Sequence, residues 1–327
     1  MDLLDKYYKD LARGFNAKNQ DSTQQEAAKQ GVLRGGNSGC ITEGGLILGS
    51  DPRLAVLRAY GIQSPTTMDD DLLFQAGHLN EEGLAEYLKL AAIEHQREEE
   101  CQIKWECQPD VASLQALSLV PKGLGEVLPM TVTGRPDFKL KQYGADSQDV
   151  GIELKGIFGT GTLMDVSNFL GGVPKTENVC QAAHYSWQSG KVPWILQYIN
   201  RSYHTVFYYG AGRFGQDHRS IKRDAKTDKP VVVGPNTSLY ELGWDGDTLM
   251  IDGKPSIITA SGIHRYYSYL TTCYHCGIIP KKSDAVDVYG TRLKKDKQDL
   301  YYDFEEANTS GSFESWLADC RHIAEGV

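Results

Sequence analysis

No apolar run in the 327-residue chain approaches the about 18–20 residues needed to cross a bilayer. The opening residues, Met1-Asp-Leu-Leu-Asp-Lys6, lack the basic-then-apolar layout of a secretion signal. These absences argue against a membrane partner and for a cytoplasmic protein. Cysteine is thin and odd in number, seven residues with no dense framework, so thiols or metal ligands are expected in place of disulfides. Also missing are an internal repeat, a low-complexity tract, a glycine-rich phosphate loop leading into a helix, and a nucleophile elbow. Gly159-Thr-Gly161 is too short to serve as either of the last two. Small-molecule α/β enzymes built on those sites find little support. Basic residues are in deficit, 34 Lys and Arg against 43 Asp and Glu, for a net charge of −9. A generic polyanion binder would carry the opposite balance. Carboxylates that bind a divalent cation add negative charge, however, and a local basic groove can sit on an acidic body.

What is present reads as helices, then mixed strands, then a helix. A short helix opens the chain, followed by a polar stretch and the glycine-rich Arg34-Gly-Gly-Asn-Ser-Gly-Cys40. Asp51-Pro52 starts a helix over Arg53–Tyr60, and Gly61 stops it. A long helix is expected over residues 70–98, with Leu72, Leu73, Leu79, Leu84, Leu88 and Ala92 on its apolar face. Val127–Thr133 and Val150–Phe158 carry strand composition, with a turn at Gly144-Ala-Asp-Ser147 between them. Glu177–Ser189 is helical in pattern. Val192–Asn200, His204–Tyr209, Val231–Gly234 and Thr248–Ile251 are strand-like, and Asp252-Gly253 marks a hairpin turn. Ser261 is placed to cap a last helix ending at Gly277. Lys281–Val327 is charged and weakly patterned. The expected class is α/β, a mixed central sheet flanked by helices with helical N-terminal and C-terminal elaborations. The chain divides as 1–70, a core of 71–210, and 211–327 packed on that core.

The chemistry concentrates in the middle. Asp137 follows Gly134-Arg-Pro136, and Glu153-Leu-Lys155 lies on the next strand-like segment. Side chains alternate along a strand, so Glu153 and Lys155 share one face while Leu154 points the other way. Two carboxylates facing each other across a hairpin make an oxygen-rich seat for Mg²⁺, with the Leu154 carbonyl as a further ligand. Phosphodiester hydrolysis needs an activated water and charge neutralisation at phosphate, which such a cation supplies. Lys155 would hold or help deprotonate that water.

Gly134-Arg-Pro-Asp137 with Gly151-Ile-Glu-Leu-Lys155 resembles the PD-(D/E)xK nuclease superfamily, and within it the RecB-type, lambda-exonuclease-like branch. Gln181-Ala-Ala-His-Tyr185 matches the QxxxY signature that follows the ExK strand there. Gln181 and Tyr185 share a helix face, and in the family such residues position the substrate. Phe74-Gln-Ala-Gly-His-Leu-Asn-Glu81 resembles the helix that brings a further metal ligand; Glu81 fits the family spacing, with His78 and Glu82 as alternatives. The resemblance covers residues 74–185. It implies a restriction-endonuclease-like fold and a Mg²⁺-dependent deoxyribonuclease that Mn²⁺ also serves. It further implies action on DNA ends in phage or recombination and repair processing. A ring-shaped homo-oligomer and a single-strand-annealing or replication partner are compatible with it. A structure-selective or single-strand endonuclease, and a non-catalytic nucleic-acid-binding module, are the alternatives.

Residues around this set have plainer readings. Arg135 and Lys139 are candidate phosphate contacts, while Arg53 reads as a surface residue. His184 reads as a partly buried histidine beside the site. The basic stretch Arg219, Lys222, Arg223, Lys226, Lys229 is a DNA-backbone contact or a solvated loop. Cys40, Cys273, Cys276 and Cys320 invite comparison with the iron–sulfur ligands of some RecB-like nucleases. Their spacing departs from that pattern, and no iron–sulfur cluster is expected.

Overall fold

The computed structural model describes residues 31–61, 68–157, 171–200, 237–280 and 286–292. Positions 9, 13, 162, 165–168, 209–210 and 213–214 are also described, with 68–74, 200, 209–210 and 213–214 described by backbone alone. In chain order the elements are β1 (Val32–Arg34), β2 (Gly39–Ile41), β3 (Ile47–Gly49), α1 (Pro52–Ala59), α2 (Met68–Leu90), β4 (His95–Arg97) and β5 (Ile103–Cys107). There follow α3 (Val111–Ala116), β6 (Met130–Gly134), β7 (Phe138–Leu140), β8 (Val150–Ile157), α4 (Thr176–Gln188) and β9 (Trp194–Asn200). The last are β10 (Tyr209–Gly210), β11 (Arg213–Phe214), β12 (Thr237–Asp245), β13 (Thr248–Ile251), β14 (Lys254–Thr259) and α5 (Ala260–Cys276).

The fold is α/β, with mixed sheets flanked by helices. The large sheet has seven strands in the order β14-β13-β12-β9-β8-β7-β4, and only β8 and β9 run parallel within it. A parallel pair needs a crossover connection, and α4 lies in it. A smaller sheet, β1-β6-β5, stands beside it. Strands of the large sheet come from both sides of residue 210, so the middle and C-terminal segments build one sheet.

Local chemistry accounts for several boundaries. The Asp51 carboxylate accepts from the Arg53 amide at 2.9 Å, and Pro52 occupies the first turn of α1. Asp252 and Gly253, at φ 48° and 73°, make the hairpin between β13 and β14. The cap of α5 is Thr259, two residues before the expected Ser261; its hydroxyl accepts from the Gly262 amide at 2.9 Å. Ser261 instead donates to Asp247 Oδ2 at 2.5 Å. Gly277, at φ 62°, ends the helix as expected.

Two expectations are corrected. The long helix stops at Leu90: Ala92 turns left-handed at φ 55° and the Ile93 amide closes onto the Leu88 carbonyl at 2.9 Å, freeing residues 95–97 to form β4. Its inner face carries Leu84 and Leu88, whereas Leu79 is 72% exposed. Second, β8 pairs with β7, and not with the strand ending at residue 134. Pro136 has no amide to donate, and around it the chain leaves the small sheet and enters the large one. The short first helix, strand Val231–Gly234, the basic stretch 219–229 and most of His204–Tyr209 lie outside the described residues.

The main core fills the space between the large sheet and helices α4 and α5. Trp194, Leu196 and Tyr198 alternate inward from β9 and share one buried cluster with Tyr266, Tyr267 and Leu270 of α5. Gly151 is glycine because the Trp194 indole lies flat where its Cβ would be. A second cluster, Phe138, Leu140, Val150 and Ile152 with Leu88, seats α2 on the sheet.

Candidate active site

Asp137 stands at the corner between the two sheets. Its Oδ2 accepts the Leu154 amide at 2.6 Å, which fixes it beside the centre of β8. Alternation along β8 brings Glu153 and Lys155 to one face. The Lys155 Nζ donates to Glu153 Oε1 at 2.6 Å and to Gln181 Oε1 at 3.0 Å. Gln181 Nε2 then donates to the Tyr185 hydroxyl at 3.2 Å, across one turn of α4. The structure thus brings Asp137, Glu153, Leu154, Lys155, Gln181 and Tyr185 into one hydrogen-bonded cluster.

Burial sets its electrostatics. Glu153 is 1% exposed, and its Oε2 is buried with no hydrogen-bond partner. Burial raises the Glu153 carboxyl above its ordinary value, with Lys155 pulling the other way. Asp137 is held well above the usual carboxylate range by burial and by the neighbouring Glu153 charge; Lys155 and the Leu154 amide oppose this. Burial works against the Lys155 ammonium, but the charges of Glu153 and Asp137 outweigh it and hold the group above its ordinary value. Glu81 of α2 adds negative potential at Asp137, Glu153 and Lys155 alike, as the smallest of the influences named on each. His78 is exposed and lies 3.2 Å from Glu81 Oε2. Glu82 turns instead to Arg97, at 2.6 Å.

The donor set is oxygen throughout, which suits Mg²⁺ or Mn²⁺. A buried carboxylate oxygen without a donor is the atom a cation would satisfy, so the residues fit such an ion. Among the described residues no three His, Cys, Asp or Glu side chains already form a metal-holding group. Asp137 and Glu153 would therefore need the Leu154 carbonyl, water or an inward swing of Glu81 to complete a shell.

Tyr185 is 2% exposed, and its ring edge presses against Gly134 and Gly35. A Cβ on Gly35 would stand 2.6 Å from the ring, and one on Gly36 4.0 Å from the Gln181 amide nitrogen. The loop of residues 35–37 is thus a wall of the site that sequence reasoning left without a role. The glycine-rich run was visible, but nothing in its composition points to α4. Arg135 is exposed at the corner, while Lys139 pairs with Asp149 at 3.2 Å. Arg53 corrects its expectation: it is buried, on the inner side of α1, with Nε 3.5 Å from Asp51.

Behind the site, His184 is fully buried. The Trp105 indole donates to its Nε2 at 3.0 Å, which leaves the proton on Nδ1, 3.1 Å from both the Ser38 and Tyr267 hydroxyls. Burial lowers its pKa to about 3. The ring is a neutral structural link between β5, α4, α5 and the glycine loop. Cys40 lies against Gly262 in the first turn of α5, whereas Cys273 is eleven residues further along. At 1.5 Å per residue that is about 16 Å, so these two thiols serve opposite ends of the helix. Cys320 lies outside the described residues.

No family model and no curated protein matches this chain. A solved structure titled "Crystal structure of SSO0001" aligns with 60% of this chain and 72% of its own, at 13% identity and a TM-score of 0.34. Among the described residues no helix is long and apolar enough to cross a membrane.

Proposed function

We propose that this chain is a Mg²⁺- or Mn²⁺-dependent deoxyribonuclease of the PD-(D/E)xK type, with a restriction-endonuclease-like core, acting as an exonuclease on DNA ends. The observation that carries the reading is the run Glu153–Lys155–Gln181–Tyr185 beside Asp137. Residues first grouped by their order in the sequence form one hydrogen-bonded cluster, with an unsatisfied carboxylate oxygen in it. A chance ExK would not be expected to find its Gln partner on a separate helix.

Asp137 and Glu153, with the Leu154 carbonyl and Glu81, would hold the cation. When bound, it supplies a water of lowered pKa and neutralises charge on the phosphate. Lys155, released from Glu153, orients the attacking water and keeps its second hydrogen bond to Gln181. Arg135, exposed at the corner, is placed to meet a phosphate oxygen. The preference for ends rests on the resemblance and not on these residues.

The test is digestion of end-labelled linear duplex, single strand and closed circular DNA, with and without Mg²⁺. Metal-dependent release of nucleotides from linear DNA with the circle intact is expected. Cleavage of the circle would convert the reading to an endonuclease. No cleavage of any substrate in Mg²⁺ or Mn²⁺ would leave a binding module on the same fold.

A further inference from the structure

Tyr185 is too deeply buried to lie open to a DNA strand, yet it is tied to the cluster. Its ring occupies the space where Gly134 would carry a Cβ, and Gly134 is the last residue of β6 before the corner Arg135-Pro136-Asp137. A β-carbon on Gly134 would fall well inside van der Waals contact of the ring, so the end of the strand and the tyrosine fix each other. On its other side the hydroxyl is held by Gln181, which also binds Lys155. The rings of His184 and Trp194, with centroids 5.4 and 6.2 Å away, and Gly35 also lie around it.

We infer that Tyr185 is a positioning residue which sets the sheet-switching corner, and through it the Asp137 carboxylate, rather than a contact to substrate. The ring supplies the wall against which β6 ends. The hydroxyl ties the ring, and with it that corner, to the Gln181–Lys155 side of the cluster. This inference rests on the proposed metal-dependent reading for its effect on metal binding, but the geometry it describes exists without metal.

Tyr185→Leu removes ring and hydroxyl, and Tyr185→Phe removes the hydroxyl alone. Three readouts are compared with the wild-type chain: amide hydrogen exchange at Gly134, Arg135 and Asp137 without metal, Mn²⁺ affinity by calorimetry, and affinity for linear duplex in metal-free buffer. Tyr185→Leu should speed exchange at Arg135 and Asp137 by at least about ten-fold. It should weaken Mn²⁺ binding by about 10–100-fold, the range for partners that orient a ligand, and leave DNA affinity within about two-fold. Tyr185→Phe should show the same pattern in reduced size, and it decides the matter if the leucine variant does not fold. Unchanged exchange at the corner in the variants would overturn the inference, as would weakened DNA binding with Mn²⁺ affinity intact. A wild-type chain that binds no Mn²⁺ would defeat the metal-dependent reading instead, and the exchange data would still judge the corner.

Discussion

Lys155 Nζ and Glu153 Oε1 are 2.6 Å apart, on the same face of one strand, with Glu153 almost wholly removed from water. In the absence of metal the ammonium is thus the counter-charge of a carboxylate that burial would otherwise neutralise. The same lysine is the group expected to serve the attacking water. On the proposed nuclease reading one side chain would serve two tasks, and removing it should have two separable consequences.

Lys155→Met should lower cleavage by about 10²–10⁴-fold, the usual worth of a positioned proton-transfer group. It also leaves Glu153 buried without its partner, a change that costs about 3–5 kcal/mol when a buried ion pair is broken on one side. Thermal unfolding of the metal-free variant should fall accordingly, and Mn²⁺ should raise its melting point more than it raises that of the wild type. Equal Mn²⁺ shifts in the two proteins would argue that the cation does not bind at Glu153.

On the proposed reading Glu81, His78 and Glu82 are the candidates for an additional metal ligand. Glu81 puts its charge on all three central residues, whereas Glu82 is engaged with Arg97. Glu81→Gln should weaken Mn²⁺ binding by about ten-fold or more, with His78→Ala and Glu82→Gln near wild type. Calorimetry on the three variants separates them. A loss on His78→Ala alone would transfer the role to the histidine.

Much of this site is legible in the sequence because strand alternation and helical spacing are local rules. Glu153 with Lys155, and Gln181 with Tyr185, follow from spacings of two and four. The α5 stop at Gly277 and the Asp252-Gly253 turn follow from backbone chemistry at single residues. What escapes is set by tertiary contact. The corner at Pro136 assigns residues 130–134 to a different sheet from Phe138, although they are adjacent in a strand-like run. The glycine loop is part of the site only because α4 packs on it. Arg53 is polar by type and buried by position. The end of α2 is blurred in the sequence because Ala91, Ala92 and Ile93 continue an apolar pattern after the helix has closed.

Gly151 tests the packing beneath the site. A β-carbon there would enter the Trp194 indole, two residues before Glu153. Gly151→Ala should destabilise the fold by about 1–3 kcal/mol through overpacking. Chemical denaturation measures this, and an unchanged midpoint would mean that Trp194 can yield. If it cannot, β8 must shift, and cleavage should fall with stability.

The last prediction concerns pH and uses His184, which burial holds near a pKa of about 3 against an ordinary 6.5. The folded protein therefore resists protonation that the unfolded chain accepts. The associated stability is complete above pH 6.5 and is lost progressively as pH falls from 6.5 toward 3. The slope approaches about 1.4 kcal/mol per pH unit once the unfolded histidine is protonated. Asp137 and Glu153 act with the opposite sign, because a raised carboxyl pKa favours the folded state at low pH and loses that contribution as pH rises through the folded value. A background of Asp137→Asn with Glu153→Gln removes both opposing carboxyls and leaves the histidine. There the metal-free protein should weaken steadily below pH 6.5, and adding His184→Gln should remove much of that slope. Gln can still accept from Trp105 and donate toward Ser38, so the link is kept while the titration is not. An identical pH slope with and without His184 would mean that the imidazole is not the group responsible.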